Sequence, residues 1–209
     1  KEKCMAIVSR RIIKPHLGKT DLVMSRVSRF KDLAIEAGAK SRLGKFLGGE
    51  LNGCLQLTNV YENMESATKS FESYSKNPKM IELMQEREAD PAAEVIGPEI
   101  YLNVYGDVSP EHNVILLREY EVDRKSLPKA IEILSDVDEI VKKEDSKLLA
   151  LRPIISDKMN SLYVIYYYSS LSSLGEIIDR VGMSESFQKL VGEASNHGTL
   201  VSSNIAVNI

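Results

Sequence analysis

Tyrosines at the end of an apolar stretch are the residues best suited to chemistry in this chain. With the period-two alternation of a strand, Leu162, Val164, Tyr166 and Tyr168 share one face. Phenol hydroxyls at the end of a helix-covered strand can line a pocket and orient a polar substrate. Core tyrosines with satisfied hydroxyls would give the same pattern. Tyr166 and Tyr168 are therefore candidate substrate-binding residues, and the core interpretation stays open beside this one.

An earlier stretch, 54–61, repeats the pattern with other side chains. Its matching face carries Asn59 and Tyr61 after two leucines. An amide and a phenol can both hydrogen bond to a polar ligand. Asn59 and Tyr61 are thus further substrate-binding candidates.

Arg118 lies among apolar residues near the end of another predicted strand, and Arg11 holds the equivalent place earlier in the chain. A guanidinium in such a setting can bind a carboxylate bidentately. It can also pair with a neighbouring acid or lean out at the sheet end. We include Arg118 among the candidate ligand contacts, with both alternatives open.

His112 is the candidate catalytic residue, as a general base that titrates near neutrality. An antiparallel arrangement would bring it beside the strand end that carries Tyr166 and Tyr168. A solvated loop histidine is the alternative. The first half has Met5 in place of His112 and Asn59 in place of Tyr166, so we expect the second half to carry the function. The sequence shows no metal-ligand spacing and no motif of a nucleophilic hydrolase or a dinucleotide-binding protein.

These residues belong to a unit that occurs twice. Adding 107 to the stretch 54–84 gives 161–191, with Leu55 matching Leu162 and Tyr61 matching Tyr168. Both copies place a helix-capping residue at the same break, Asn77 in one and Ser184 in the other. A strand followed by a two-part helix, repeated at one offset, indicates a duplication.

Each half predicts the order βαββαβ, which is the ferredoxin-like arrangement of an α+β fold. We place the halves at residues 1–106 and 107–209, joined by a linker over 106–111. The second strand is predicted at 45–51, and Pro153 is predicted to lie on an edge strand. The strand residues that point away from the helices are also apolar, so the second face of each antiparallel sheet must be buried too. The two sheets are therefore expected to stack into an α/β barrel. With strand order 4-1-3-2, Cys4 and Cys54 should lie too far apart for a disulfide.

Composition excludes several classes of protein. A net charge of −3 argues against a nucleic-acid partner, and no apolar run is long enough to span a membrane. Two cysteines are too few for a disulfide framework. No signal peptide is recognisable, although a first residue of Lys1 leaves open a leader that was removed. A cytoplasmic location is the expectation.

The sequence resembles the dimeric α/β-barrel superfamily, in particular its antibiotic-biosynthesis-monooxygenase-like branch. The resemblance lies in the stretches 57–67 and 77–80, and in 164–171 and 184–187. Members usually dimerise to complete the barrel, whereas a fused pair would complete it within one chain; a homodimer stays open. Haem-degrading members use an Asn, a Trp and a His, and the comparable positions here hold none of them. The chain has no Trp, and we expect no cofactor.

The resemblance implies a cofactor-independent, monooxygenase-like enzyme that acts on a small organic molecule. A non-catalytic small-molecule-binding or assembly protein of the same fold is the alternative, because the sequence shows no recognisable acid–base constellation. Fold resemblance alone does not decide between them.

Overall fold

Eight strands and six helices follow one another along residues 6–209, the part of the chain that the computed structural model describes. In chain order they are β1 (Ile7–Pro15), α1 (Thr20–Glu36), β2 (Lys40–Gly48), β3 (Leu55–Tyr61), α2 (Met64–Ser75), α3 (Pro78–Ala89), β4 (Ala93–Gly106), β5 (Val114–Glu121), α4 (Leu127–Val141), β6 (Lys147–Ile155), β7 (Ser161–Tyr168), α5 (Leu171–Ile177), α6 (Glu185–Ala194) and β8 (Thr199–Asn208). A π-helical turn, Ile178–Gly182, continues α5 toward α6.

The strands form one closed barrel in the order β1-β3-β2-β8-β5-β7-β6-β4. All pairs are antiparallel, including β2 with β8 and β4 with β6, which join the two halves. Within each half the order is the predicted 4-1-3-2. The predicted fold class, two ferredoxin-like βαββαβ units that make an α/β barrel, is confirmed. Whether the ranges 1–106 and 107–209 are separate domains stays a prediction, because both contribute to the one barrel.

The duplication extends to the residue register. Ile7 pairs with Tyr61 in the first half, and Val114 pairs with Tyr168 in the second, each 107 residues later. The caps follow the same rule, since Asn77 caps α3 and Ser184 caps α6. Only the last strand departs from this offset: Leu102 and Val207, which occupy equivalent pairs, are 105 residues apart.

Two sequence predictions, the bounds of the second strand and the edge position of Pro153, are wrong, and a third, on Cys4, lies outside the described residues. The second strand spans Lys40–Gly48 rather than 45–51, because Gly49 and Gly53 adopt positive φ and turn the chain there. Pro153 does not lie on an edge strand, since β6 is paired on both sides; it lies beyond the last β6–β7 pair, where no ladder hydrogen bond to β7 is needed. Cys4 lies outside the described residues, so the predicted distance between Cys4 and Cys54 stays a prediction.

Two layers of core result from the alternation of side chains along the strands. One face of each half-sheet packs against its own helices, as in the cluster of β5–β7 residues with α4, α5 and α6. The other face points into the barrel lumen, where residues of both halves form a second cluster. Among the described residues, no helix is long and apolar enough to cross a membrane.

Candidate functional site

A cavity of about 340 Å³ lies between the sheet and the helices of the second half. Strands β5 and β7 supply its floor, and α4, α5 and α6 supply its walls. The floor residues alternate along the strands, as period-two spacing requires; they include Leu116, Arg118, Leu162, Val164, Tyr166 and Tyr168. The structure thus brings together three of the residues singled out in the sequence: Arg118, Tyr166 and Tyr168.

Arg118 is the only charged residue among the described residues that line this cavity. Its guanidinium carbon lies 5.6 Å from the centre of the Tyr166 ring, and its buried Nε has no hydrogen-bond partner in the part of the chain described. Burial by itself would lower the pKa of Arg118, but neighbouring Tyr120 and Tyr166 more than offset this, and the pKa lies above its ordinary value. The cavity therefore holds a permanent positive charge with unused hydrogen-bonding capacity.

The two tyrosines supply neutral hydroxyls. Burial raises the pKa of Tyr168 to about 12, with the Arg118 charge acting in the opposite direction. Burial also raises the pKa of Tyr166 well above its ordinary value. Both phenols are therefore protonated at physiological pH and leave the charge of Arg118 uncompensated.

The first half contains an equivalent cavity of about 370 Å³, with Arg11 where the second has Arg118. Arg11 donates to the Tyr74 hydroxyl at 3.3 Å, and its guanidinium carbon lies 4.6 Å from the centre of the Phe30 ring. Its buried Nη1, like the Nε of Arg118, has no hydrogen-bond partner among the described residues, but Arg26 and Arg87 also line this cavity, so it is not otherwise uncharged. Asn59 and Tyr61 do not line this cavity. The Asn59 amide oxygen instead accepts a hydrogen bond from Ser41 at 2.5 Å.

His112, between the linker and β5, is buried at 4% exposure and lines neither sheet–helix cavity. Its Nδ1 lies 2.7 Å from the Ser109 hydroxyl, and its Nε2 lies 3.3 Å from the carbonyl oxygen of Asp145. Its ring faces Tyr167, with centroids 6.4 Å apart, rather than Tyr166 or Tyr168. The predicted grouping of the histidine with those two phenols is not formed, and a catalytic role for His112 stays a prediction.

Sequence reasoning missed the helical side of the cavity. Met183, Phe187, Gln188 and Leu190 line it from α6 and the turn before it. The signal was present in the duplication, because Phe187 and Leu190 match Met80 and Leu83, which line the first-half cavity. The duplication indicated equivalent positions without indicating that the helices leave space there.

This chain resembles known proteins in structure but not in sequence. No protein-family model and no curated protein matches the sequence. Among solved structures, an anthrone oxidase-like protein has a TM-score of 0.67 at 9% identity, covering 100% of this chain and 92% of its own. A ferredoxin-fold protein from Listeria monocytogenes 4b F2365, related to antibiotic biosynthesis monooxygenases, has a TM-score of 0.52 at 9% identity, covering 98% of this chain and 95% of its own.

A haem-binding protein from Thermus thermophilus has a TM-score of 0.53 at 6% identity, covering 98% of this chain and 91% of its own. The three neighbours have different named roles on one fold, so the likeness establishes the architecture alone. The fold predicted from the sequence resemblance is the one these structures share. The chain therefore shares with these solved structures its overall fold, in which two ferredoxin-like units of one polypeptide close into a single barrel.

Proposed function

We propose that the second-half cavity binds a small aromatic molecule as its anion and supports a monooxygenase-like oxidation of it by O2. The observation that carries this proposal is Arg118, a cation with an unpartnered Nε in an otherwise uncharged, largely apolar cavity. Apolar walls with a few placed polar groups are typical of small-molecule sites.

The chemistry that suits these residues needs no base from the protein. No carboxylate or imidazole is found among the described residues lining the cavity. A substrate with an acidic CH2 group must therefore lose its proton to water, and Arg118 would favour this by stabilising the anion. Oxidation of CH2 by O2 gives C=O and H2O, so one oxygen atom enters the product and the substrate supplies all four electrons.

No cofactor is part of this proposal. The described residues that line the cavity include no histidine and no cysteine, which are common haem ligands. No group of histidine, cysteine and acidic side chains in the range 6–209 is arranged to hold a metal ion.

The test uses 1,8-dihydroxyanthrone, a flat molecule with an acidic CH2 group, and follows O2 uptake above the protein-free rate. Arg118→Gln should lower the rate by about tenfold or more, because a charged hydrogen-bond donor at a developing anion is removed. Arg11→Gln is the matched control in the equivalent first-half cavity and should leave the rate unchanged. A larger loss in Arg11→Gln than in Arg118→Gln would contradict the assignment to the second half.

The second candidate function, non-catalytic binding, is favoured by the same lack of a base among the lining residues. The corresponding anthraquinone, which cannot be oxidised in this way, separates the two. If it binds with a dependence on Arg118 while the anthrone shows no protein-dependent O2 uptake, the protein is a binder and not an oxygenase.

A further inference from the structure

The lumen of the barrel holds a third and larger cavity, of about 570 Å³. An eight-stranded barrel is just wide enough either to be filled by side chains or to hold one small ligand. Phe46 and Ile12 belong to the buried cluster of the lumen and do not line the cavity. The cavity lies beside them, and its lining continues to the linker through Asp107, Val108 and Pro110.

The duplication explains why the lumen is not filled. Its two walls are equivalent strands, yet at seven equivalent positions on the first three strands of each half the first-half residue is smaller or more polar. The last strands reverse this difference, because Tyr101 of the first half occupies the position of Ala206 in the second. The first-half wall is Val8, Arg10, Arg42, Gly44, Gln56, Thr58 and Val60; the second-half wall is, in the same order, Ile115, Leu117, Leu149, Leu151, Tyr163, Ile165 and Tyr167. The second half presents a filled apolar wall, and the first half leaves space with polar groups around it.

Two of those polar groups lack partners. The Gln56 Oε1 and the Arg10 Nε are buried and have no hydrogen-bond partner within the described residues. Arg10 pairs across the ladder with Thr58, and Gln56 pairs with Ile12, so the two residues are diagonal neighbours on the lumen face. An unsatisfied buried polar atom is costly. An acceptor and a donor are thus available side by side to a molecule in the lumen.

Arg42 adds a charge to this wall. It pairs with Thr58 on the side opposite Arg10. Its guanidinium donates to the carbonyl oxygen of Ser109 at 2.8 Å and to that of His112. Both acceptors are uncharged, and no ion pair of Arg42 is found among residues 6–209, whereas Arg10 has an ion pair with Glu99 at 2.7 Å. The Glu111 carboxylate also acts on the charge of Arg42, and Asp107 lines the same cavity, but the guanidinium itself hydrogen bonds to uncharged carbonyls. A half-buried guanidinium of this kind favours an anionic ligand.

We infer that the barrel lumen is a second ligand site, for a small planar aromatic carboxylate that carries a neighbouring hydroxyl. The carboxylate lies at Arg42, the hydroxyl donates to Gln56 Oε1, and the ring packs against Tyr163 and Tyr167. This site shares no lining residue with the sheet–helix cavity of the second half. A test of this lumen site is therefore independent of a test of the proposed oxidation.

The test uses salicylate as the probe and methyl NMR as the readout. Salicylate at millimolar concentration should shift the methyl signals of Ile115, Ile165 and Ala206, which line the lumen. The methyls of Leu134 and Leu190, which line the second-half cavity, report on the other site. Benzyl alcohol, which lacks the carboxylate, should bind at least about tenfold more weakly, because charge-assisted hydrogen bonds are the strong ones. Shifts confined to Leu134 and Leu190, or no shifts, would overturn the inference.

Two variants make the test specific. Arg42→Met should weaken salicylate binding by about tenfold or more through loss of the charge. The double variant Gln56→Leu, Thr58→Ile should abolish binding without lowering the melting temperature, because it fills the lumen and places at Thr58 the residue of the equivalent position, Ile165. Arg118→Gln is the control and should leave the lumen shifts unchanged. Wild-type affinity in the double variant would refute the site.

Discussion

Burial determines the protonation state of the tyrosines of β7. Every residue of this strand is buried, which is unusual for a run of three consecutive tyrosines, Tyr166, Tyr167 and Tyr168. Alternation sends Tyr166 and Tyr168 to the helix side and Tyr167 to the lumen. Burial raises the pKa of Tyr167 to about 12, as it does that of Tyr168. Both the second-half cavity and the lumen thus receive neutral phenols; the positive charge comes from Arg118 in the first and from Arg10, Arg42 and Lys40 in the second.

Alkaline unfolding should reveal the buried phenol of Tyr168. Its folded pKa of about 12 exceeds the ordinary value of 10.0, so the unfolded chain loses this proton first, and stability is lost as pH rises from 10 to 12. Two pKa units correspond to about 2.5 kcal/mol at pH 12. Tyr168→Phe should therefore lose less stability than wild type between pH 8 and pH 11 in urea unfolding. Equal losses in the two proteins would show that Tyr168 is not protected in the folded state.

At the residue scale, strand periodicity correctly gives the direction of side chains on paired strands, whereas the roles of the candidate site residues stay predictions. Arg118, Tyr166 and Tyr168 meet in one cavity because alternation on paired strands leaves each a single face. His112 lies outside a strand, between the linker and β5. Its direction depends on hydrogen bonds with Ser109 and Asp145, which no periodic pattern encodes.

At the scale of elements, the duplicated helices begin with different capping chemistry. Asn63 and Ser66 form a reciprocal capping box at the start of α2: the Asn63 side chain accepts from the Ser66 N–H at 2.9 Å, and the Ser66 hydroxyl accepts from the Asn63 N–H at 3.2 Å. At the equivalent start of α5, the Ser170 hydroxyl accepts from the Ser173 N–H at 3.1 Å, and no reciprocal bond from the Ser173 side chain is found among the described residues.

Matched alanine variants should separate the two caps. Ser66→Ala removes a hydroxyl that also donates to the carbonyl oxygen of Asn63 at 2.8 Å, and should lower the free energy of unfolding by about 1 kcal/mol. Ser173→Ala, at the equivalent position, keeps the backbone N–H that the cap uses and should change the free energy by less than about 0.3 kcal/mol. Urea unfolding of both variants measures the difference. Equal effects would mean that the reciprocal bond contributes nothing.

The element that sequence placed least well is β2, and the lumen supplies the reason. Its lumen-facing residues include Lys40, Arg42 and Gly44, which are polar or lack a side chain. A strand is recognised by apolar residues at alternate positions. Here those positions line an open cavity and carry few apolar residues. The apolar alternation is therefore weak, and the predicted strand ends too late, at Leu51. The equivalent strand β6 has Leu149 and Leu151 at the matching positions; the sequence predicts it at 147–156, and it spans Lys147–Ile155.

At the scale of the whole molecule, the two seams between the halves are equivalent. Gly44 of β2 pairs with Asn208 of β8, and Leu151 of β6 pairs with Asn103 of β4. Each half therefore offers the same two strand edges to the other, in the same register. A half by itself leaves both edges unpaired, which favours association with another chain.

Fragments 1–106 and 107–209 should consequently assemble with each other in preference to themselves. In a dimer of two first halves, two small polar walls and twice the number of arginines would face each other across the lumen. In a dimer of two second halves, Tyr163, Tyr167 and Leu149 would clash with their own copies. A mixed pair restores the contact between a small wall and a large one.

Native mass spectrometry of the two fragments expressed together should show the one-to-one heterodimer as the dominant species. The double variant Gln56→Leu, Thr58→Ile in the first fragment fills part of the space that two small walls would enclose, and should therefore shift the mixture toward homodimers of that fragment. A mixture that pairs at random in both cases would mean that the strand edges alone direct assembly.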